Sequence, residues 1–342
     1  MIKALELDLF LEQAQGYIII DVRSPGEYLQ GHIPKAINLP LLNDIHRAIV
    51  GTIYKNEGNE KAVIVGFELV GPLFSKFIEE ALKIAPNKKL FVHCWRGGLR
   101  SNIMAWVLQS AGFEIHLLNG GYKAYRHWVL DTFNHSKNIT ILGGLTGSGK
   151  TDLLRQLKDA GEQTIDLEYL ANHKGSAFGG LGMLPPPTNE QFENDLALLW
   201  TKINPDKTLW LEDESQNIGR IKIPDHIFRM MRQARVVKVN IPFDIRVNRL
   251  VDEYTIFPIE DLKARTLKIA KRLGNLRLNQ SLEFLENNDM KRWVLMMLQY
   301  YDKAYLFGLE KRDPSSITCL DLEALDSRLD VQRILDSVKS LA

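Results

Sequence analysis

Only two cysteines, Cys94 and Cys319, occur in 342 residues, and they stand in unlike contexts without metal-ligand spacing. That scarcity argues against a disulfide-stapled scaffold and a cysteine zinc site, and a reducing compartment is expected. An excess of either charge is also missing, with 43 Lys+Arg against 42 Asp+Glu, so net charge alone points to no partner. The first stretch carries Glu6, Asp8 and Glu12 among its apolar residues. Such a stretch is expected to be neither a signal peptide nor a membrane span, which leaves a cytoplasmic protein without membrane association as the expectation. Internal repeats and low-complexity segments are absent as well.

What is present is the composition of a globular protein, 45% hydrophobic and 25% charged, with enough chain for two cores. Tyr17-Ile18-Ile19-Ile20 is a β-rich run ending in Asp21-Val22-Arg23-Ser24-Pro25-Gly26-Glu27-Tyr28, followed by Gly31-His32-Ile33-Pro34 and Ala36-Ile37-Asn38-Leu39-Pro40. This order predicts strand, polar turn, short helix, turn and strand. It recurs at Leu90-Phe91-Val92 with helical spacing from Ser101 to Leu108, and again at Glu114 to Leu118 before Asn119-Gly120-Gly121-Tyr122. A parallel sheet with helices on both faces is expected, with active residues at the carboxyl ends of its strands.

Cys94 falls at such an end. The run Val92-His93-Cys94-Trp95-Arg96-Gly97-Gly98-Leu99-Arg100-Ser101 places its thiol in a Gly-rich strand-to-helix turn. Backbone N–H groups, a helix start and two guanidinium groups there are expected to lower the thiol pKa and favour the nucleophilic thiolate. Cys94, Arg96 and Arg100 are therefore the candidate catalytic residues. The Asp21 to Tyr28 and Gly31 to Pro40 runs, the Cys94 loop and Gly120-Gly121-Tyr122 together resemble a rhodanese domain, a family whose loop cysteine carries a chalcogen as a persulfide. Lys35 stands where many members have glycine. His93-Cys94 with Arg100 after five intervening residues also fits the loop of cysteine-dependent phosphatases, so the chemistry stays open between the two while the architecture is related.

From Asp131 to Asn138 the composition turns polar and periodicity is lost. The domain boundary is placed there, giving domains 1–135 and 136–342. Ile139 to Gly143 then reads as a buried strand running into Gly144-Leu145-Thr146-Gly147-Ser148-Gly149-Lys150-Thr151, which satisfies G-x-x-x-x-G-K-[ST] ahead of a helix. Gly144, Gly147, Ser148, Gly149, Lys150 and Thr151 are the candidate phosphate-binding residues. Backbone N–H groups would approach phosphate oxygens, Lys150 would meet the terminal phosphates and Thr151 could hold magnesium. Further strands are predicted over 163–167, 208–214 and 236–240. The second of them ends in Glu212, Asp213 and Glu214, as a Walker B strand does. Thr151 with Asp213 is the candidate magnesium site, the choice among the three acids remaining open, and no tightly bound cofactor is expected. His173 to Gly182, followed by Pro185-Pro186-Pro187, is irregular and is expected to form a substrate loop with His173, Lys174 and Ser176.

Positive charge concentrates in one segment: Arg220 to Arg277 holds 14 Lys+Arg against 6 Asp+Glu, whereas the first 135 residues hold 14 against 13. Within it, Leu262 to Arg277 has no acid and interleaves bases with Leu262, Leu267, Ile269, Ala270 and Leu273. One basic and one apolar face are expected, as on a docking helix, with Lys268, Lys271 and Arg272 as candidate contacts to an RNA backbone. Lys291 to Tyr305 reads as a helix whose aromatics serve a core.

A thiol that can carry a chalcogen, a P-loop and a basic second half together suggest transfer of sulfur or selenium to a large polyanion, RNA above all. The combination closely resembles the tRNA 2-selenouridine synthases, a family with an N-terminal rhodanese domain and a C-terminal P-loop domain. The matching runs are His93 to Ser101, Gly144 to Thr151, Ala171-Asn172-His173-Lys174-Gly175-Ser176-Ala177-Phe178-Gly179 and Leu211-Glu212-Asp213-Glu214-Ser215-Gln216-Asn217-Ile218-Gly219. The fold implied is α/β, a rhodanese-like parallel-sheet domain followed by a P-loop NTPase-like α/β domain with a helical C-terminal part. The resemblance further implies a transferase acting on wobble 2-thiouridine of tRNA. Its sulfur is first alkylated from geranyl diphosphate, then replaced by selenium from selenophosphate, with a selenophosphate-supplying enzyme as partner. Lys150 would stabilise departing pyrophosphate, and Cys94 would carry selenium as a selenosulfide or assist its delivery. Two other classes fit the motifs alone: an ATP-dependent sulfur-transfer enzyme or kinase, and a regulatory protein whose rhodanese domain only binds partners.

Overall fold

A computed structural model describes residues 2–323 and 327–339. Its contacts divide the chain into two units, one taking the chain up to Thr132 together with Glu193–Leu198, the other taking Phe133–Phe192 and the chain from Leu199 onward.

In the first unit the strands are β1 (Ile2–Leu5), β2 (Ile18–Asp21), β3 (Ile37–Asn38), β4 (Lys89–His93) and β5 (Glu114–Leu118). They form a sheet in the order β1-β5-β4-β2-β3 with every pairing parallel. Ile20, Leu90, Phe91, Val92 and Ile115 are fully buried, as the apolar runs of a sheet covered on both faces require. The helix Pro25–Gln30 starts where Ser24 and Glu27 form a capping box with proline in the first turn, which accounts locally for the Ser-Pro-Gly-Glu run. Lys35 adopts φ +69°, the left-handed conformation that glycine tolerates best and that explains glycine at this place in rhodanese domains. The sequence reading did not foreshadow edge strand β1 or the helices Asp44–Glu57, Asn59–Val70 and Phe74–Ile84.

The second unit contains β6 (Ile139–Gly144), β7 (Gln163–Thr164), β8 (Leu209–Glu212), β9 (Asn217–Ile218), β10 (Ile221–Lys222), β11 (Arg235–Asn240) and β12 (Ile317–Asp321). Its parallel sheet runs β12-β11-β6-β8-β7, while β9 and β10 form a separate antiparallel pair. The strand expected over 163–167 stops at Thr164. Asp166 instead caps the helix Leu167–Ala171, its carboxylate accepting from the Tyr169 N–H at 2.7 Å. The expected single basic docking helix is likewise corrected: the stretch is broken into helices Ile259–Lys268, Ala270–Leu273 and Asn275–Glu286, interrupted at Ile269 and Gly274. Leu262, Ile269 and Leu273 still pack inward while Lys268, Lys271 and Arg272 are exposed. The long helix Met290–Leu309 buries Trp293, Val294 and Leu298. Among the described residues no helix is long and apolar enough to cross a membrane.

Candidate active site

Strand β4 delivers Cys94 to the start of a loop that leads into the helix Leu99–Ser110. The thiol is only 3% exposed, and its sulfur lies 3.2 Å from the Ser101 hydroxyl. The loop closes tightly on the Gly120-Gly121 turn, since a Cβ at Gly121 would stand 2.5 Å from the Cys94 carbonyl oxygen and from the Gly97 nitrogen. Of the expected catalytic set, Arg96 is exposed in the loop, whereas Arg100 is committed elsewhere. Its guanidinium donates to both Glu27 oxygens, at 2.6 and 3.3 Å. Glu27 also accepts from the Ser24 N–H, so the capping residue of one helix positions the arginine of another.

Beneath the loop, Arg23 is buried, donates to Asp21 and to the Gly31 carbonyl, and lies 3.7 Å over the Tyr122 ring. Burial opposes ionisation of Asp21, but His93 and Arg23 outweigh it and hold its carboxyl below the usual range. His93, wholly buried beside Cys94, has its pKa lowered chiefly by desolvation, against the opposing pull of the Asp21 carboxylate.

In the second unit, β6 runs into the P-loop, and the helix Lys150–Asp159 starts from Gly149 at φ +74°. Loop and helix start together present the kind of backbone N–H array to which an anion can bind. Lys150 Nζ donates to the Gly144 carbonyl at 3.0 Å, and the Ser148 hydroxyl is buried without a partner. Gly147, Ser148, Gly149, Lys150 and Thr151 border a cavity of about 590 Å³. Phe178, Leu181, Tyr254, Phe257 and Tyr301, which pack in one apolar cluster, also line it, together with charged Asp152, Arg249 and Glu253. Lys174 and Ser176 of the irregular loop also face this cavity, Lys174 paired with Glu253. His173 packs instead against Gly219, where a Cβ would meet its ring at 2.7 Å. Its pKa is lowered by burial and then by Arg265 and Lys268. Arg272 joins the cavity lining, and its side chain is hydrogen-bonded to Tyr300.

The metal expectation needs correction at one residue. Asp213 accepts from Arg312 at 2.8 Å in a buried ion pair and is thereby occupied. The carboxylates that converge are Glu168, Glu212 and Glu214, with ligand oxygens within 4.8 Å of one another. The Thr151 hydroxyl lies 3.4 Å from Glu168 and 3.3 Å from Glu212. Glu212 Oε1 is buried with no partner, and hard oxygen donors of this kind fit a magnesium ion. Glu168 escaped the sequence reading because it lies just beyond the stretch 163–167 read as strand, in the first turn of the helix Leu167–Ala171. Its signal was the acidic Asp166-Leu167-Glu168 at a strand's carboxyl end.

Burial, and next the charge of Glu168, push the Glu212 carboxyl up to about 8, with Lys150 pulling the other way. Glu214 is raised well above its usual value by burial and by Glu168 and Glu212. Between pH 4.5 and about 8 folded Glu212 keeps a proton that the unfolded chain releases, so it lowers stability as pH rises through that window. With chelator present, Glu212→Gln should flatten this fall. The variant's Tm advantage over wild type should widen across the window, and a constant difference would contradict the assignment.

Comparison with known proteins identifies the family. Residues 137–333 match the family described as the tRNA 2-selenouridine synthase AAA domain, and residues 4–127 match the rhodanese-like domain. The chain belongs to the tRNA 2-selenouridine synthase family. A relative of that name from Shewanella frigidimarina is 35% identical over 348 residues, covering 91% of this chain and 94% of the relative. Those from Bdellovibrio bacteriovorus and Nitrosomonas europaea are 37% and 34% identical, covering 87% and 86% of this chain and 90% and 89% of the relatives. The α/β fold class, a rhodanese-like domain followed by a P-loop-type domain, is that of the family.

Proposed function

We propose that this chain converts wobble 2-thiouridine in tRNA to 2-selenouridine in two steps, using geranyl diphosphate and selenophosphate. The observation that carries the reading is the cavity of about 590 Å³, which joins a P-loop to aromatic, apolar residues. The P-loop residues suit a diphosphate, and the apolar and aromatic residues of the lining suit a branched hydrocarbon. In the first step the 2-thio sulfur forms a bond to geranyl C1 as the C1–O bond breaks, pyrophosphate leaves with the electron pair, and the N3 proton is lost to solvent. Lys150 and the loop amides stabilise the leaving group. A magnesium ion held by Thr151, Glu168 and Glu212 would add charge neutralisation there.

Alkylation turns a thiocarbonyl sulfur into a departing thiol. In the second step selenium, already at the selenide level in selenophosphate, bonds to C2 as the C2–S bond breaks. Geranylthiol leaves with a proton, and water takes the phosphoryl group. This balance needs no oxidant, whereas a selenosulfide on Cys94 would need an oxidant to form and a reductant to resolve. Cys94 is therefore assigned to assist delivery at C2. Arg100, held by Glu27, is not free to clamp a phosphoryl group as a phosphatase arginine does. Competition of ATP against geranyl diphosphate on the purified protein tests the reading: displacement by ATP at comparable affinity would favour the ATP-dependent class. Mass spectrometry of tRNA nucleosides from cells with and without the protein then checks the product.

Exposed Lys268, Lys271 and Arg272 serve in this reading as contacts to the tRNA backbone. Binding should weaken steeply with salt, because each neutralised phosphate releases counterions. Replacing all three with alanine should reduce the log–log salt slope by about 2 to 3 and weaken modified and unmodified tRNA alike. An unchanged slope in a salt titration would move the RNA path elsewhere.

A further inference from the structure

The unit that carries the thiol contains a second cavity, about 230 Å³ and apolar, to which the chemistry above gives no task. Its floor is Leu41, Leu42, Val70 and Ile103, packed in the same cluster as Cys94. Tyr54 and Phe67, from the helices Asp44–Glu57 and Asn59–Val70, wall it and remain exposed. Val63 lines it too, as do Leu99 and Arg100, which open the helix whose next residue, Ser101, meets the Cys94 sulfur. Among the described residues Arg100 is the one charged side chain bordering the cavity, and its guanidinium is engaged by Glu27.

We propose that this cavity seats the hydrocarbon chain of the S-geranyl group while its sulfur is replaced at the Cys94 loop; the assignment rests on the two-step reading above. Size supports it: an apolar cavity of about 150 Å³ accepts benzene, so one half as large again holds roughly nine or ten carbons. Charge supports it too, since the cavity offers no free ion and the chain carries none. Position supplies the reason. The second step acts on the same C2 atom whether or not its sulfur is alkylated, and the chain is the feature that distinguishes the prepared substrate. A cavity lined from the first turn of the thiol-loop helix can hold that chain while the reacting carbon stays at the loop.

The test compares selenium incorporation into RNA carrying S-geranyl- or S-methyl-2-thiouridine, with selenophosphate as donor. Both sulfurs leave as alkyl thiols, so a difference reports on the chain. Burial of one methylene is worth about fourfold, and three or four seated carbons should favour the geranyl RNA by about a hundredfold in kcat/KM. Val63→Trp fills the cavity and Phe67→Ala removes part of its exposed wall. Both should lose most of the preference through KM for geranyl RNA, while turnover of methyl RNA and geranylation of 2-thiouridine stay at wild-type levels. Equal kcat/KM for the two RNAs in wild type, or an undiminished preference in both variants, would overturn the cavity assignment and leave the two-step reading standing. Failure of wild type to exchange selenium on either alkylated RNA would overturn the two-step reading itself.

Discussion

Lys150→Ala is expected to stop S-geranylation of 2-thiouridine while leaving selenium exchange on RNA geranylated beforehand near the wild-type rate. The lysine sits at the phosphate end of the P-loop cavity, its ammonium resting on the Gly144 carbonyl at 3.0 Å. Pyrophosphate departs with more charge on its bridging oxygen than the bound diphosphate carries there, so a cation at this point acts mainly in the transition state. Removing one such donor costs about 100- to 1,000-fold in rate, and loss of ground-state binding adds to it. Separate assays of the steps read the outcome: liquid chromatography of nucleosides after incubation with geranyl diphosphate, and selenium label taken up by synthetic geranylated RNA. Loss of both steps to the same extent would mean that the P-loop serves the whole reaction or the fold, and the division of labour would fail.

Much of this division is legible in the residues before any coordinates, for a physical reason. The P-loop and the thiol loop are local objects: a strand end, glycines that tolerate close backbone approach, and a helix start all lie within ten residues or so, and spacing specifies them. Arrangements that depend on long-range partners are not legible in that way. Nothing in the local sequence distinguishes Asp213 from Glu212, yet Arg312, about a hundred residues away, takes the aspartate into an ion pair and leaves the glutamate facing Thr151. Glu27 is similar, since its capping role is visible locally while its grip on Arg100 spans 73 residues. The basic run Leu262 to Arg277 misleads in the opposite sense. Its periodicity is helical throughout, but Gly274, at φ +79°, and the turn at Ile269 break it into short helices. Tyr301 belongs to a helix whose pattern reads as core, and it packs there, but its hydroxyl also accepts from the Ala177 N–H at 3.2 Å beside the cavity.

Cys94→Ser should give the complementary result: no selenium in tRNA, with S-geranyl-2-thiouridine accumulating in its place. Oxygen matches sulfur closely in size, and the buried hydroxyl can still hydrogen-bond to Ser101, which meets the thiol at 3.2 Å. Folding should therefore be little changed, with Tm within about 4 °C of wild type. What is lost is a soft, polarisable sulfur at the loop, and a serine oxygen does not replace it in assisting delivery of selenium to C2. Ser101→Ala distinguishes this chemical role from a packing role. It removes the neighbouring hydroxyl but keeps the thiol, and it should slow selenium incorporation without abolishing it. Labelled selenium entering tRNA at the wild-type rate in Cys94→Ser would remove the thiol from the reaction. A simultaneous loss of geranylation, with Tm unchanged, would show instead that both steps depend on this loop. The accumulating geranylated nucleoside is thus the decisive reading, because it appears only if the first step runs without Cys94 and the second does not.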